Sequence, residues 1–147
     1  MMIRNNLENP IFLYILLILI VTVNTISSIH FLLIMLSGVL FNAFYICLKK
    51  RYLYSLFFVI ITFLFVEINS GLKPFSLVLL SFFLYVFVIP QTERLVSFSR
   101  LNNYLHIVLF YIGVFITWEL NFENSDGISL ILLINMFIDL IFFGLFI

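Results

Sequence analysis

Polarity in this chain is confined to a few short breaks, SSIH, KKRY, NSGLKP, QTERLVSFSRLNNY and NFENSDG, and the sequence between them is apolar for about 16 to 20 residues at a time. A helix needs about 20 apolar residues to cross about 30 Å of hydrocarbon, and about 17 suffice where a bilayer is thin. Six segments approach or meet that length, at residues 11–28, 30–48, 52–68, 72–89, 105–120 and 128–147. A membrane-spanning strand alternates in polarity over about ten residues, whereas these runs are uniformly apolar. The predicted fold is therefore an all-α integral membrane protein, one polytopic domain over residues 1–147 built as a compact bundle of six transmembrane helices with no extramembrane domain.

Composition supports the same class, since 65% of residues are hydrophobic and 10% charged, against roughly 45–50% and about 25% in soluble domains. Formal net charge is zero, and the few basic residues form no stripe able to neutralise a phosphate backbone, so nucleic acid is not expected as a partner. The single cysteine, Cys47, has no second thiol and no metal-ligand spacing around it, and reads as a small buried hydrophobe. The apolar run after Arg4 is longer than the h-region of a signal peptide and is followed by no small-x-small cleavage site, so it is predicted as a retained span.

Placing the N-terminus in the cytoplasm puts Arg4, Lys49, Lys50, Arg51, Arg94 and Arg100 inside and leaves Lys73 outside, six against one. The positive-inside rule then predicts an N-in, C-in topology, with Glu119, Glu123 and Asp126 facing outward. The longest break, residues 91–104, is expected as a cytoplasmic connection of 14 residues. Within it Leu95, Val96, Phe98 and Leu101 project broadly to one side, opposite Arg94 and Asn102, which suits either a helix lying in the interface or an ordinary loop.

Membrane chemistry leaves a polar signature, and none is written here: there is no G-x-S-x-G, no H-E-x-x-H and no carboxylate cluster with metal spacing. Neither enzymatic activity nor a cofactor or metal is expected. His30 and His106 stand beside predicted helix ends, where an imidazole is more often solvated than ligating. Asp139 is the one ionisable residue well inside a predicted span, near the bilayer midplane, where a carboxylate costs at least about 2.5–3.5 kcal/mol. It should face the bundle or be protonated, with Asn135 one turn earlier as a hydrogen-bonding neighbour. It then serves either as a polar seat for a substrate, proton or partner helix, or as glue between helices. Glu67, near the outer end of the third span, has the same two readings or can snorkel to water. Trp118 and Tyr104 read as interface anchors, and Asn24 and Asn42 as interhelical hydrogen bonders.

The stretch FVEINSGLKPFS, residues 65–76, has the makings of a tight reversal. Gly71 can take positive φ at a helix end, Asn69 and Ser70 can bond the backbone, and Pro74 suits the first turn of the next helix. The turn does not explain Glu67. Here the residues resemble the rod-shape-determining MreD family, small six-span bacterial inner-membrane proteins with a D-x-x-S-G-x-x-x-G type pattern after helix three. Glu67, Ser70 and Gly71 fall at its first, fourth and fifth places, Glu replacing Asp, while Phe75 takes the place of the last glycine. The basic turn LKKRY and Asn135 in the last span are similar to the family layout, although the proline that often follows that Asn is absent.

The resemblance implies a non-enzymatic scaffold of the cell-wall elongation machinery in the bacterial inner membrane, working through helix contacts with MreC, the MreB filament and the peptidoglycan synthase pair. Glu67, Ser70, Gly71, Asn135 and Asp139 are the candidate partner- or ligand-contact residues. The alternative is the substrate-binding membrane subunit of a small-molecule transporter of the energy-coupling-factor kind, in which Glu67, Asn135 and Asp139 would converge on one pocket.

Overall fold

The computed structural model describes residues 6–30, 36–96, 99–122 and 127–147. After a short 3₁₀ turn at Asn6–Glu8, the described residues form six helices: α1 (Pro10–Ile29), α2 (Ser37–Lys49), α3 (Leu53–Ser70), α4 (Ser76–Leu95), α5 (Ser99–Asn121) and α6 (Ile128–Phe146). There is no strand among them. Five of the six, all but α2, are long and apolar enough to cross a membrane. Between 28% and 39% of each one's apolar stretch is buried in the bundle, so the larger part of each is at least partly exposed, with many large apolar side chains on the outside. That distribution suits lipid and is foreign to a water-soluble domain, which rarely exposes large contiguous apolar patches.

The shorter helix sits at the centre. Every residue of α2 from Ser37 to Cys47 is buried, as expected of a helix apolar all round. It packs against α1, α3, α5 and α6. Phe41 stacks on Phe110 of α5 at 5.1 Å between ring centroids, and Phe44 stands edge-on to Phe63 of α3 and Phe82 of α4 at 5.9 and 5.0 Å. With 13 residues, α2 is about 20 Å long at 1.5 Å per residue, too short to cross about 30 Å. The span expected over 30–48 is thus represented by Ser37–Lys49, with residues 31–35 outside the described part.

One end of the bundle gathers distant parts of the chain. Asn6 Nδ2 donates to the carbonyl of Phe146 at 3.1 Å, Lys50 pairs with Glu8 at 2.6 Å and Lys49 with Glu93 at 3.5 Å. The first described residues, the α2–α3 turn and the far ends of α4 and α6 therefore share that end. The α3–α4 turn lies at the other.

The connection expected over 91–104 is mostly helix. Helix α4 starts at Ser76, not residue 72, and runs on to Leu95; α5 starts at Ser99, six residues early. Gln91, Thr92, Glu93 and Arg94 are polar yet compatible with a helix, so polarity there marks a change of surroundings and not the end of the helix. Pro90 is accommodated by a π turn over Leu84–Val88, in which the amide of Ile89 reaches back five residues to Leu84. The wider turn absorbs a proline that offers no amide and whose ring would crowd the preceding turn. Leu95 and Leu101 consequently belong to two helices separated by an extended Val96 (φ −118°, ψ 111°), which removes the interfacial amphipathic helix. Arg4, Phe98, Glu123 and Asp126 lie outside the described residues.

Candidate functional site

A helix start leaves its first amides without partners, and the start of α2 is inside the bundle where no water reaches it: Ser37 is fully buried. Asp139, the twelfth residue of α6, meets it there. Its Oδ1 accepts the amide of Leu36 at 3.0 Å, and its Oδ2 accepts the amide of Gly38 at 2.8 Å and the hydroxyl of Tyr111 at 2.8 Å. Ser37 Oγ in turn donates to the Tyr111 oxygen at 3.4 Å. The two backbone amides can only donate, so each carboxyl oxygen of Asp139 accepts one of them, at the positive end of the α2 dipole.

Gly38 is required at this junction because a Cβ there would fall 2.8 Å from Asp139 Oδ2 and 2.9 Å from side-chain atoms of Ile107 and Tyr111.

Glu67 repeats the arrangement at the start of α4. Its Oε2 accepts the amide of Phe75 at 2.7 Å, and its Oε1 accepts those of Leu77 at 2.7 Å and Val78 at 3.2 Å. Both helix starts open on a residue in the left-handed region, Leu36 at φ 59° and Phe75 at φ 67°. Each is followed by Ser, any residue, Val and Leu, as LSGVL over 36–40 and FSLVL over 75–79. In both, one carboxylate from another helix takes the amide of the left-handed residue and the amide two positions on. The repeated pentapeptide was the sequence signal that could have paired these two acids.

Glu67 does not snorkel; it is fully buried and turned onto three backbone amides. Ser70 Oγ donates to the Val66 carbonyl at 2.7 Å within α3, and Gly71 ends that helix at φ 73°. Asn69 reaches across to Thr25 of α1 at 3.5 Å instead of the backbone. Pro74 belongs to the turn before Phe75 and not to the first helical turn. Asn135 is fully buried one turn before Asp139. Asn42 bridges α2 to α5 through the Asn103 carbonyl at 3.2 Å, and Asn24 is buried in α1. Trp118 is buried against Phe122, and Tyr104 packs edge-on to Phe143, so both contribute to packing within the bundle.

The structure also assembles a polar cluster that sequence reading missed. Tyr45 donates to Glu93, and Lys49 donates to the Tyr45 oxygen at 2.8 Å. His106 packs edge-on to Tyr45 at 4.7 Å between centroids and is 1% exposed. It is not solvated, because the early start of α5 carries it two turns into the helix. These residues line a cavity of about 240 Å³ together with Asn102 and Asn103.

The Ser37–Tyr111–Asp139 chain has the order of a proton relay, but it lines neither this cavity nor a second one of about 470 Å³ beside Arg51. Among the described residues no three His, Cys, Asp or Glu side chains come together as a metal cage. Both acids are bound to the backbone amides of a helix start. Compared with known proteins, the chain matches no family model, no curated protein and no solved structure.

Proposed function

We propose that this chain is a non-enzymatic, multi-pass scaffold of the bacterial inner membrane, acting in cell-wall elongation in the manner of MreD. The observation that carries the reading is Glu67: the acidic residue of the MreD-like E-x-x-S-G turn is fully buried and fastened to the start of α4. A motif used in that way shapes a fixed surface, which is what a scaffold presents to MreC, the MreB filament and the peptidoglycan synthase pair. The reading counts the 30–48 segment as a sixth crossing and orients both ends inward. In its support, Lys49 and Lys50 share an end of the bundle with Asn6 and Phe146, while Lys73 lies in the turn at the other.

The transporter reading asks Glu67 and Asp139 to converge on one pocket, and they serve two different helix starts. The test is loss of the chain in its host, with affinity purification in mild detergent. Rounded cells and copurified elongation proteins are expected. Normal rods, or a copurified transporter ATPase, would overturn the scaffold.

A further inference from the structure

The α2–α3 turn carries an arginine where its geometry calls for glycine. Arg51 closes α2 at φ 58°, with its amide on the Leu48 carbonyl at 3.3 Å and that of Tyr52 on the Cys47 carbonyl at 2.9 Å. Gly71 closes α3 with the same two bonds, to Ile68 at 3.2 Å and from Leu72 to Glu67 at 3.0 Å. This is the Schellman ending, whose left-handed position glycine fills without strain. A non-glycine residue held in the left-handed region is a pointer to function.

Charge points the same way. Of the three consecutive bases, Lys49 is paired with Glu93 and Lys50 with Glu8. Arg51 is exposed and has no ion pair among the described residues. It borders a crevice of about 470 Å³ between the starts of α1 and α3, whose exposed apolar lining is Pro10, Tyr52, Leu53 and Tyr54, with the buried Leu7 and Leu13 behind them. The other charged side chain of the crevice, Glu8, is neutralised by Lys50. One unmatched guanidinium therefore sits at the mouth of an oily groove.

We propose that this crevice binds an anionic phospholipid, with an acyl chain along Pro10, Tyr52, Leu53 and Tyr54 and the headgroup phosphate on Arg51. The fork of a guanidinium matches phosphate oxygens, and basic pockets between membrane helices recognise anionic headgroups. A zwitterionic lipid offers the same phosphate but brings a cationic ammonium beside Arg51, Lys49 and Lys50, so it should bind more weakly than an anionic one. The site requires only that the bundle lies in a membrane and is independent of the scaffold reading.

The experiment is thermal unfolding of the purified full chain in detergent with added phosphatidylglycerol, phosphatidylcholine or inorganic phosphate. Phosphatidylglycerol is expected to raise the unfolding midpoint by several degrees, phosphatidylcholine by much less, and inorganic phosphate not at all. Arg51→Gly relieves the backbone, so its midpoint without lipid should equal or exceed that of the native chain while its response to phosphatidylglycerol is lost. Arg51→Lys should keep part of the response. Equal effects of the two lipids, a full effect of inorganic phosphate, an undiminished response in Arg51→Gly, or a lowered lipid-free midpoint in that variant would each overturn the proposal.

Discussion

Asp139 in α6 accepts the amide of Gly38 at 2.8 Å across 101 residues of chain, and that bond lets a helix begin in the interior of the bundle. In the middle of a membrane span a carboxylate costs about 2.5–3.5 kcal/mol on the insertion scale, and each hydrogen bond to a charged group returns about 1.5–3 kcal/mol. Three donors converge on Asp139, so the buried acid and the buried helix start offset one another. Neither is tolerable alone.

Asp139→Asn tests this balance. An amide side chain has one accepting oxygen, and its nitrogen would face a donor, so one backbone amide loses its partner at a cost of about 1–3 kcal/mol. Tyr111→Phe removes one donor and leaves both amides satisfied, so it should cost only about 1 kcal/mol. Denaturant or thermal unfolding in detergent reads the difference. An Asp139→Asn protein as stable as the native chain would mean that the carboxyl is not held as an acceptor by both amides.

Two glycines in tight contacts should respond differently to alanine. At Gly38 a methyl group meets Asp139, Ile107 and Tyr111, each under 3.0 Å, and Asp139 and Tyr111 are fixed by their hydrogen bonds. Overpacking of this kind costs about 1–3 kcal/mol. At Gly113 the nearest atoms the methyl group meets all belong to Leu80, the first at 2.7 Å, a flexible side chain able to move aside. Gly38→Ala should therefore lower the unfolding midpoint clearly more than Gly113→Ala, and the reverse order would argue against a rigid Asp139 junction.

Glu67 and Gly71 separate anchoring from turning. Read as a partner contact, Glu67→Ala would spare abundance; as the anchor of α4 it removes three amide partners and should lower membrane-fraction abundance. Glu67→Gln can keep its oxygen on Leu77 and Val78 and lose Phe75, an intermediate defect of about 1–3 kcal/mol. Gly71→Val meets no atom within 4 Å of its Cβ, so it suffers only positive-φ strain, about 1–2 kcal/mol. Quantitative blotting of membrane fractions should rank Glu67→Ala below Gly71→Val. Wild-type abundance for Glu67→Ala would return that residue to the partner-contact reading.

The helical class was legible because apolar runs bounded by short polar breaks leave few alternatives, and Gly71 was legible because its turn is local in sequence. What could not be read is long-range. Asp139 finds amides 101 and 103 residues away, and nothing near it in sequence says that a helix starts beside it. Hydropathy gave α2 the same standing as its neighbours, although it is the short central helix, since a buried face and a lipid-facing one are equally apolar. The fourth and fifth helices were cut short because polar residues at a helix end resemble a loop, and that hid the burial of His106 beside Tyr45.

The proposed orientation rests on the clustering of basic residues at one end of the bundle, and it can be checked without reference to function. Lys49, Lys50 and Arg51 lie at the end where Asn6 meets Phe146, and Lys73 lies in the turn at the opposite end. Basic residues near span ends are retained on the cytoplasmic side, so that end should face inward. Reporter fusions at residue 98, after α4, should behave as cytoplasmic, and fusions at residue 124, after α5, as external. Because α5 runs between these positions as a long apolar helix, the two reporters must differ if it crosses the membrane. Opposite activities in the reversed sense would invert the topology and put Arg51 and its crevice in the outer leaflet, and equal activities would mean that α5 does not cross at all.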